Sequence, residues 1–455
     1  MIEAMRLSSA ADRLGGELHG VDVEFGAVSI DTRTLQSGDL YLAIHGDRFD
    51  GNDFVDQARE KGACAAVVSR LSDTDIPQLL VKDTTVALGQ IAALNRLASK
   101  AKLIAITGSQ GKTTVKEMTG SILERVGPTL VTRGNLNNAI GVPLTLLELS
   151  VEHEFGVIEM GANRAGDIAY SVGLVKPDVA IITVAARAHI EGFGSLEGVA
   201  EGKGEMIDGL GPDGTMVLNR DDRFFDSWNR RAGDRKVVSF SVRDRQADYC
   251  AGNVQRGQDG RLTFQLSSAK GKETITLSLL GRHNVINALA AAALATEVGA
   301  GNADVREGLE CIEPVKGRLS PVDNVLGGAL IDDSYNASPD SFRAAIDVLA
   351  DFDGYRILLV GDMAELGTTT HAAHAELGRY AREAGIEELW TIGEDAEQSS
   401  LTFGTGAHHF SDKEEVILRC QEVLRPGITL LVKGSRSAGL DAIIQALADD
   451  QAARK

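Results

Sequence analysis

Residues 103–125 constrain what this chain can fold into more than any other segment. The apolar run 103–106 predicts a buried strand, and residues 115–125 predict the helix that follows it. The connection between them reads Gly108-Ser109-Gln110-Gly111-Lys112-Thr113-Thr114. Glycines let successive backbone N–H groups point at one anion, and the start of a helix adds partial positive charge. The segment therefore predicts a phosphate-binding loop between a strand and a helix.

Two side chains of this loop have the chemistry that a nucleoside triphosphate needs. Lys112 is placed to reach the terminal phosphates, and Thr113 offers a hydroxyl to a magnesium ion. The usual motif has a glycine five residues before Gly111, where this chain has Ile106, so the loop is a shortened version that begins at Gly108. The alternative is a glycine-rich turn without a ligand. The strand–loop–helix context favours nucleotide binding.

Length and charge limit the class of protein. A chain of 455 residues is too long for one core, so two or three domains are expected. The net charge of −19 argues against a nucleic-acid partner, because phosphates would be repelled without a basic stripe. No apolar stretch is long enough to cross a bilayer, and residues 1–6 lack the features of a secretion signal. The four cysteines are widely separated in the sequence and are predicted to be reduced thiols. We therefore expect a cytoplasmic protein without membrane insertion.

The order of predicted elements gives the fold class. Residues 1–82 mix short strands with a helix near 53–60, and residues 83–313 alternate apolar strands with helices. Such alternation is typical of a parallel sheet with helices on both faces, and it starts afresh in residues 314–455. The strands outside the central part are predicted near 26–31, 40–44, 65–69, 329–332, 357–360, 389–392 and 429–432. The sequence thus predicts three α/β domains: a small N-terminal domain, a central phosphate-loop domain and a C-terminal Rossmann-like domain.

Polar residues lie at the ends of predicted strands in the central domain. Glu159 ends the strand near 155–160, and His189 follows the strand near 179–184. Carboxyl ends of parallel strands share one edge of the sheet, where ligands collect beside the phosphate loop. Carboxylate and imidazole groups can hold magnesium or manganese there. Taken singly, Glu159 is as compatible with a hydrogen-bonded buried acid as with a metal ligand, and His189 is as compatible with an ordinary loop residue. Their position at the same sheet edge as the phosphate loop favours a metal site.

Two further central segments leave alternatives open. Asn284 and Asn287 share a face near a helix start, where they either cap the helix or aim their amides at a purine; spacing alone favours capping. Lys203 falls on the apolar stripe of a helical segment at 194–210. An inward lysine must find a partner or lose its charge. A salt bridge to Glu201 or Glu205 is favoured by spacing alone; a neutral amine that adds carbon dioxide is the alternative.

The C-terminal part carries three strand ends loaded with polar groups, at residues 330–339, 360–367 and 432–436. Each of them is compatible with simple turn chemistry. Because all three fall on one sheet edge, they favour a site that faces the cleft of the central domain.

Together these segments resemble the Mur ligase family of peptidoglycan synthesis over essentially the whole chain. The shortened phosphate loop is similar to the family's, and further similar motifs lie at residues 135–147, 159–163, 189–193, 333–337 and 361–367. Residues 31–33, 38–40 and 50–51 resemble the family's uridine-nucleotide domain. Within the family, the chain looks most like the member that adds D-alanyl-D-alanine to UDP-N-acetylmuramoyl-tripeptide.

The resemblance implies a three-domain, ATP-dependent amide ligase of the bacterial cytoplasm, which we expect to be a monomer. ATP would phosphorylate the terminal carboxylate of the muramoyl-tripeptide, and the amine of D-alanyl-D-alanine would then displace phosphate. A carboxylate is a poor electrophile, so phosphorylation splits one hard step into two easier ones. The alternatives are another Mur ligase, a folylpolyglutamate-type synthetase with a different acceptor, and a nucleotide-switched binding module.

The resemblance also implies roles for individual residues. The residues implied in catalysis are Lys112, His189, Lys203 and Arg318, and those implied as ligands of two magnesium ions are Thr113, Glu159, His189 and a carbamylated Lys203. ATP contacts are implied for Gly108, Ser109, Gln110, Gly111, Lys112, Thr113, Thr114, Asn284, Asn287, Arg318 and Asp333. Substrate contacts are implied for Asp31, Thr32, Arg33, Asn137, Asn138, Tyr335 and Asn336. Arg318 and Asp333 would meet ATP only when the domains close. The chain departs from the family pattern at Ser338, where a second asparagine is expected.

Overall fold

The computed structural model describes residues 1–46, 49–186, 190–257 and 261–449. Their strands form a two-stranded ribbon and three larger sheets, of five, nine and six strands, which follow one another along the chain. The predicted fold class, a three-domain α/β protein, is confirmed.

The N-terminal unit is built around the five-stranded sheet. Its strands are β1 (Met5–Arg6), β2 (Glu17–His19), β3 (Glu24–Phe25), β4 (Val28–Ser29), β5 (Leu40–Leu42), β6 (Ala65–Val68) and β7 (Gln78–Leu80), and its helices are α1 (Leu7–Leu14) and α2 (Val55–Glu60). The order is β2-β7-β6-β5-β4, and β1 pairs with β3 as the separate ribbon. One apolar cluster runs from this sheet into the central unit, so the two share a core.

The central unit contains the nine-stranded sheet. Its strands are β8 (Lys102–Thr107), β9 (Thr129–Val131), β10 (Phe155–Glu159), β11 (Val179–Ile182), β12 (Thr215–Asn219), β13 (Lys236–Ser241), β14 (Tyr249–Arg256), β15 (Leu262–Ser268) and β16 (Gly271–Thr276). Its helices are α3 (Thr84–Ala98), α4 (Lys112–Leu123), α5 (Gly141–Leu147), α6 (Asp167–Val175), α7 (Ile190–Phe193), α8 (Leu196–Asp208), α9 (Phe225–Ala232), α10 (His283–Val298) and α11 (Asn302–Cys311).

The strand order explains where a ligand can bind. It runs β16-β15-β14-β13-β12-β11-β8-β10-β9, so the strand before the phosphate loop lies between β10 and β11. The chain leaves β8 towards one side of the sheet and later crosses to the other side. Such a switch point leaves a crevice beyond the carboxyl ends of the strands.

The central sheet is parallel, as predicted, except at one end. Strands β14, β15 and β16 pair in antiparallel fashion. Their connections are too short for a crossover helix, so only hairpins can join them. In β15 the side chains of Leu262, Phe264 and Leu266 are buried in alternation, the pattern of a sheet with one covered face.

The C-terminal unit is a second doubly wound sheet. Its strands are β17 (Ser320–Val322), β18 (Ala329–Asp333), β19 (Tyr355–Gly361), β20 (Glu388–Ile392), β21 (Ala407–Phe410) and β22 (Ile428–Lys433), and its helices are α12 (Pro339–Ala350), α13 (Thr370–Glu383), α14 (Glu397–Phe403), α15 (Lys413–Val423) and α16 (Asp441–Asp449). The order is β17-β18-β22-β19-β20-β21, parallel except for β17. Separate apolar clusters cover its two faces. No helix among the described residues is long and apolar enough to span a membrane.

Helix α3 leads from the N-terminal unit into β8, and its start depends on one cap. The Asp83 carboxylate accepts hydrogen bonds from the backbone N–H groups of Thr85 and Val86. We expect Asp83→Ala to lower the free energy of unfolding by about 1 kcal/mol, because two N–H groups lose their acceptor. Asp83→Asn keeps an acceptor and should retain most of the stability in urea denaturation. Equal losses in the two variants would contradict this role of the cap.

Candidate active site

The phosphate loop is fastened to the segment that follows β11. The Ser109 N–H donates to the Val184 carbonyl at 2.8 Å, and the Thr183 hydroxyl donates to the Gln110 carbonyl at 2.5 Å. The Lys112 ammonium donates to the Gly108 carbonyl at 2.7 Å. The strand–loop–helix arrangement predicted from the sequence is therefore present. Thr183 was not singled out by sequence reasoning, because its role depends on a contact between distant segments.

Both glycines of the loop lie where no side chain fits. Gly111 has φ +77°, and a Cβ there would lie 2.6 Å from the Asn287 Oδ1. A Cβ on Gly108 would lie 1.8 Å from the Thr183 hydroxyl oxygen. The loop thus touches both the β11 side of the crevice and the start of α10.

Glu159 lies at the end of β10 with only 2% of its surface exposed. Its Oε1 accepts a hydrogen bond from the Asn137 side chain at 2.7 Å. Its Oε2 is buried without a hydrogen-bond donor in the described part of the chain. A buried carboxylate oxygen needs a partner, and a cation at this place would supply one. The donor set fits magnesium, which usually combines one or two carboxylates with phosphate oxygens and water.

Of two further predicted metal ligands, Thr113 and His189, the described residues include only Thr113. Thr113 lies buried in the first turn of α4. His189, predicted as a ligand and catalytic residue, lies outside the described residues. Within the described ranges, no group of three or more His, Cys, Asp or Glu residues forms a ready-made metal cluster.

Lys203 lies on the inward face of α8 and is 2% exposed. Burial, reinforced by the charge of Lys112, lowers the pKa of Lys203 from 10.5 to about 7. Its ammonium lies 6.0 Å from the centroid of the Phe193 ring. No acid among residues 1–46, 49–186, 190–257 and 261–449 forms an ion pair with it.

The two acids that spacing favoured as partners of Lys203 are engaged elsewhere. Glu205 accepts hydrogen bonds from the Gly166 and Ala169 N–H groups, at 2.7 and 2.9 Å, and so caps the start of α6. Glu201 lies 3.0 Å from Arg231. The salt-bridge alternative is therefore wrong, and Lys203 faces the phosphate-loop side as an inward amine.

A cavity of about 360 Å³ opens between the phosphate loop and the C-terminal unit. Its apolar lining includes Phe240, Leu279 and Ile286, and its polar lining includes Asn284 and Asn287. A mixed lining of this kind is typical of small-molecule sites.

The two asparagines do not cap α10, as spacing alone had suggested. The N-cap position is Arg282. The Asn287 amide donates to the Asn284 side-chain oxygen at 2.9 Å, and the Asn284 amide donates to the Leu280 carbonyl at 2.7 Å. Beside them, burial lowers the pKa of His283 to about 4, which leaves this imidazole neutral at pH 7. His283 was missed by sequence reasoning, although it directly precedes Asn284.

The C-terminal unit contributes a cation to the same crevice. The Arg318 guanidinium donates to the Thr113 hydroxyl at 3.1 Å and stacks on the Tyr335 ring at 4.6 Å. Gln110 lies within 3.4 Å of the Ser338 hydroxyl, which also caps α12. The phosphate loop therefore touches the C-terminal unit at two points.

A buried ion pair lies behind Arg318. The Lys433 ammonium donates to Asp333 Oδ2 at 2.7 Å and to the Asn336 carbonyl at 2.9 Å. Asp333 also accepts from the Leu319 N–H at 3.2 Å. Strands β18 and β22 place Asp333 directly opposite Lys433. Lys433 had no role assigned from sequence, although the motif at the end of its strand was the signal.

Not all predicted substrate residues lie at this cavity. Asp31 and Arg33 form an ion pair at 2.6 Å in the N-terminal unit, and the Thr32 hydroxyl donates to Gln57 at 2.7 Å. Asn138 accepts backbone N–H groups at the start of α5, while Asn137 contacts Glu159. The structure therefore joins Asn137 to the predicted metal site and leaves Asp31, Thr32 and Arg33 outside the lining of the nucleotide cavity.

Comparison with known families decides the class of this protein. Residues 24–106 match the Mur ligase family, catalytic domain; residues 106–295 match the Mur ligase middle domain; and residues 317–436 match the Mur ligase, glutamate ligase domain. The chain belongs to the Mur ligase family. This Mur ligase is 46% identical to the UDP-N-acetylmuramoyl-tripeptide--D-alanyl-D-alanine ligase of Escherichia coli over 98% of its own length and 99% of the relative's.

Solved structures are similar to this Mur ligase over nearly the whole chain. The crystal structure of MurF from Acinetobacter baumannii shares 35% identity and a TM-score of 0.92, covering 98% of this chain and 99% of the other. MurF of Thermotoga maritima, solved with ADP, shares 26% identity and a TM-score of 0.83, covering 94% and 98%.

The close approach at Gly111 makes a prediction about nucleotide binding. We expect Gly111→Ala to weaken ATP binding at least about tenfold, because the new methyl group must displace Asn287 or the loop. Isothermal titration calorimetry with ATP would measure the change. Gly427→Ala is the matched control, since Gly427 also has positive φ, +87°, but open space around its Cβ direction. Equal effects of the two substitutions would show that the loss is not specific to the phosphate loop and would contradict this role of the contact with Asn287.

Proposed function

We propose that this Mur ligase adds D-alanyl-D-alanine to UDP-N-acetylmuramoyl-tripeptide at the expense of ATP. The observation that carries the choice of substrates is the 46% identity, along the full length of both chains, to a ligase of that name. The nucleotide is supported by the phosphate loop and by the likeness to a MurF solved with ADP. Since the reaction consumes ATP, we further propose that the enzyme works in the bacterial cytoplasm.

The reaction has two steps, and both need charge to be neutralised at the phosphate loop. The terminal carboxylate of the tripeptide attacks the γ-phosphorus of ATP, and the bond to ADP breaks. The amine of D-alanyl-D-alanine then attacks the acyl carbon, phosphate leaves with its oxygen, and the amine releases a proton. Lys112 from one side and Arg318 from the other face the phosphates, where developing charge is stabilised.

The nucleotide is held along the cavity by residues of both units. We assign the phosphates to the backbone of residues 108–114 and the base to the pocket at Asn284 and Asn287. Asp333, fixed by Lys433, lies on the C-terminal wall of the same cavity. Since Arg318 and Asp333 belong to the C-terminal unit and the loop to the central one, the complete site exists only when the two units are in contact.

Magnesium is the ion that this site would hold. Glu159, with its unpartnered Oε2, and the Thr113 hydroxyl are the ligands that the described residues offer, and His189 and a modified Lys203 complete the set that we propose for two ions. When bound, such ions neutralise phosphate oxygens and orient the transferred group. The protein's own contribution is to hold Glu159 through Asn137.

We propose that Lys203 carries a carbamate. With a pKa of about 7, roughly half of its side chains are neutral amines at neutral pH, and a neutral amine can attack carbon dioxide. The new N–C bond forms as one C–O π bond of carbon dioxide opens, one proton leaves the nitrogen, and the neutral amine becomes an anionic carbamate suited to magnesium. The absence of an acidic partner among the described residues supports this proposal, since no ion pair there stabilises the ammonium form.

The substrates bind across the three units in this proposal. Asp31, Thr32 and Arg33 are assigned to the uridine nucleotide, Asn137 and Asn138 to the muramoyl-tripeptide, and Tyr335 and Asn336 to D-alanyl-D-alanine. Ser338, where the family pattern has an asparagine, caps the start of α12 with its hydroxyl. The loop that carries Tyr335 and Asn336 is therefore anchored to the first turn of this helix.

An acceptor panel tests the proposed function. Purified protein receives ATP and UDP-N-acetylmuramoyl-tripeptide with D-alanyl-D-alanine, and in parallel with meso-diaminopimelate or glutamate; folate with glutamate is a further arm. We expect phosphate release above background only with D-alanyl-D-alanine, because only that amine completes the second step. Lys112→Met, which removes the ammonium at the phosphates, should abolish this release. Release with a different pair would overturn the assignment, and slow hydrolysis indifferent to every acceptor would indicate a nucleotide-switched binding module.

Lys203→Arg separates a carbamate from a plain cation. Arginine keeps a positive charge but stays protonated and cannot add carbon dioxide. We expect ligase activity to fall roughly 100-fold or more, as when a stabilising charge is lost from a site. NMR with isotope-labelled bicarbonate should show a carbamate signal in the unsubstituted protein and none in the variant. Lys236→Arg, at an exposed lysine that pairs with Glu297, is the matched control. Near-normal activity of Lys203→Arg would exclude the carbamate.

A further inference from the structure

Lys116 is a fully buried lysine that the reaction described above does not use. Its exposed fraction is 0%, and it lies one turn after Lys112 on α4. Its ammonium donates to the Thr132 carbonyl at 2.8 Å and lies 2.7 Å from Glu117 Oε1. Burying an ammonium is costly unless its contacts compensate, so this position calls for an explanation.

Thr132 connects this lysine to Glu159. It directly follows β9, the edge strand of the central sheet. Its hydroxyl oxygen accepts a hydrogen bond from the Glu159 N–H at 3.0 Å, and its own N–H donates to the Val157 carbonyl at 3.0 Å. Thr132 therefore links the two residues: its carbonyl accepts from Lys116, and its hydroxyl accepts from the backbone N–H of Glu159.

The same helix also carries the other metal-binding group. Thr113 lies in the first turn of α4, and Lys116 follows three residues later. The path from Thr113 along α4 to Lys116, then to Thr132 and Glu159, consists of one rigid helix and two hydrogen bonds. It is a fixed spacer between the hydroxyl and the carboxylate.

We propose that Lys116 is a positioning residue that acts through Thr132 to hold Glu159 at the distance from Thr113 that one magnesium ion requires. The inference rests on the proposed function, because it takes Glu159 and Thr113 as ligands of the ion. Partners behind a metal ligand fix its orientation, and their loss typically lowers metal affinity about 10–100-fold. The competing explanation is that Lys116 only fastens the edge strand β9, in which case it affects stability alone.

The test compares metal binding with folding. In Lys116→Met the aliphatic stem remains and the donor is lost. We expect the magnesium concentration for half-maximal phosphate release to rise roughly tenfold, while the KM for UDP-N-acetylmuramoyl-tripeptide changes less than about twofold. Manganese binding to the protein saturated with a non-hydrolysable ATP analogue, followed by electron paramagnetic resonance, should weaken by a similar factor. Asn95→Leu, which removes buried hydrogen bonds from α3 to the Leu146 and Leu149 carbonyls, should destabilise the fold without changing either metal measurement.

Two variants of Thr132 test the same path to Glu159 if Lys116→Met does not fold well enough to be measured. Thr132→Val removes the acceptor of the Glu159 N–H, whereas Thr132→Ser retains it. We expect Thr132→Val to weaken manganese binding as Lys116→Met does and Thr132→Ser to restore it. The double variant should be no weaker than either single one, because both substitutions interrupt one path.

Three outcomes distinguish the inference from the function on which it rests. Lower thermal stability with unchanged manganese and magnesium dependence would overturn the role of Lys116 and leave the ligase assignment intact. Equal weakening in Thr132→Val and Thr132→Ser would also overturn it. If Glu159→Gln itself leaves metal binding unchanged, then Glu159 is not a ligand, and the failure lies in the proposed metal site.

Discussion

The burial of charge around one anion-binding loop is the constraint on which this structure depends. Lys203 and Glu159 are each 2% exposed, and both lie close enough to the half-buried Lys112 for their charges to interact with its ammonium. Each would be unfavourable alone, because charged groups lose their hydration when buried. A triphosphate with its cations would bring the charges that these side chains lack.

The topology of the sheets makes this concentration of charge possible. The switch point at β8 places the phosphate loop, Glu159 and Thr183 at neighbouring strand ends of the central sheet. The C-terminal sheet does the same with Asp333 and Lys433. The two crevices face each other, and the contacts of Arg318 with Thr113 and of Gln110 with Ser338 join them. Residues of both units line the cavity, so its shape depends on how the two sheets are placed.

The local residue pattern predicted the secondary-structure elements well, but it predicted the interaction partners of polar side chains poorly. Strands such as 357–360 and 429–432 were predicted within a few residues, because period and turn residues are local properties. The antiparallel end of the central sheet was missed, because the residue pattern of a short strand does not show whether its neighbour runs parallel or antiparallel to it. Spacing favoured a salt bridge for Lys203 and helix capping for the asparagine pair, and both were wrong. For Lys203, the two acids took partners from distant parts of the chain, whereas the asparagines bond locally, to each other and to the Leu280 carbonyl.

The sequence by itself determined the phosphate loop, the three-domain α/β class and the identity of the polar strand ends. These follow from glycine positions, apolar periodicity and residues adjacent in the chain. Only the tertiary structure decided that Glu205 and Glu201 turn away from Lys203, that Lys433 pairs with Asp333, and that Lys116 reaches Glu159 through Thr132. The physical reason is that a buried polar atom takes whichever partner the packing brings within about 3 Å, and packing is a property of the whole chain.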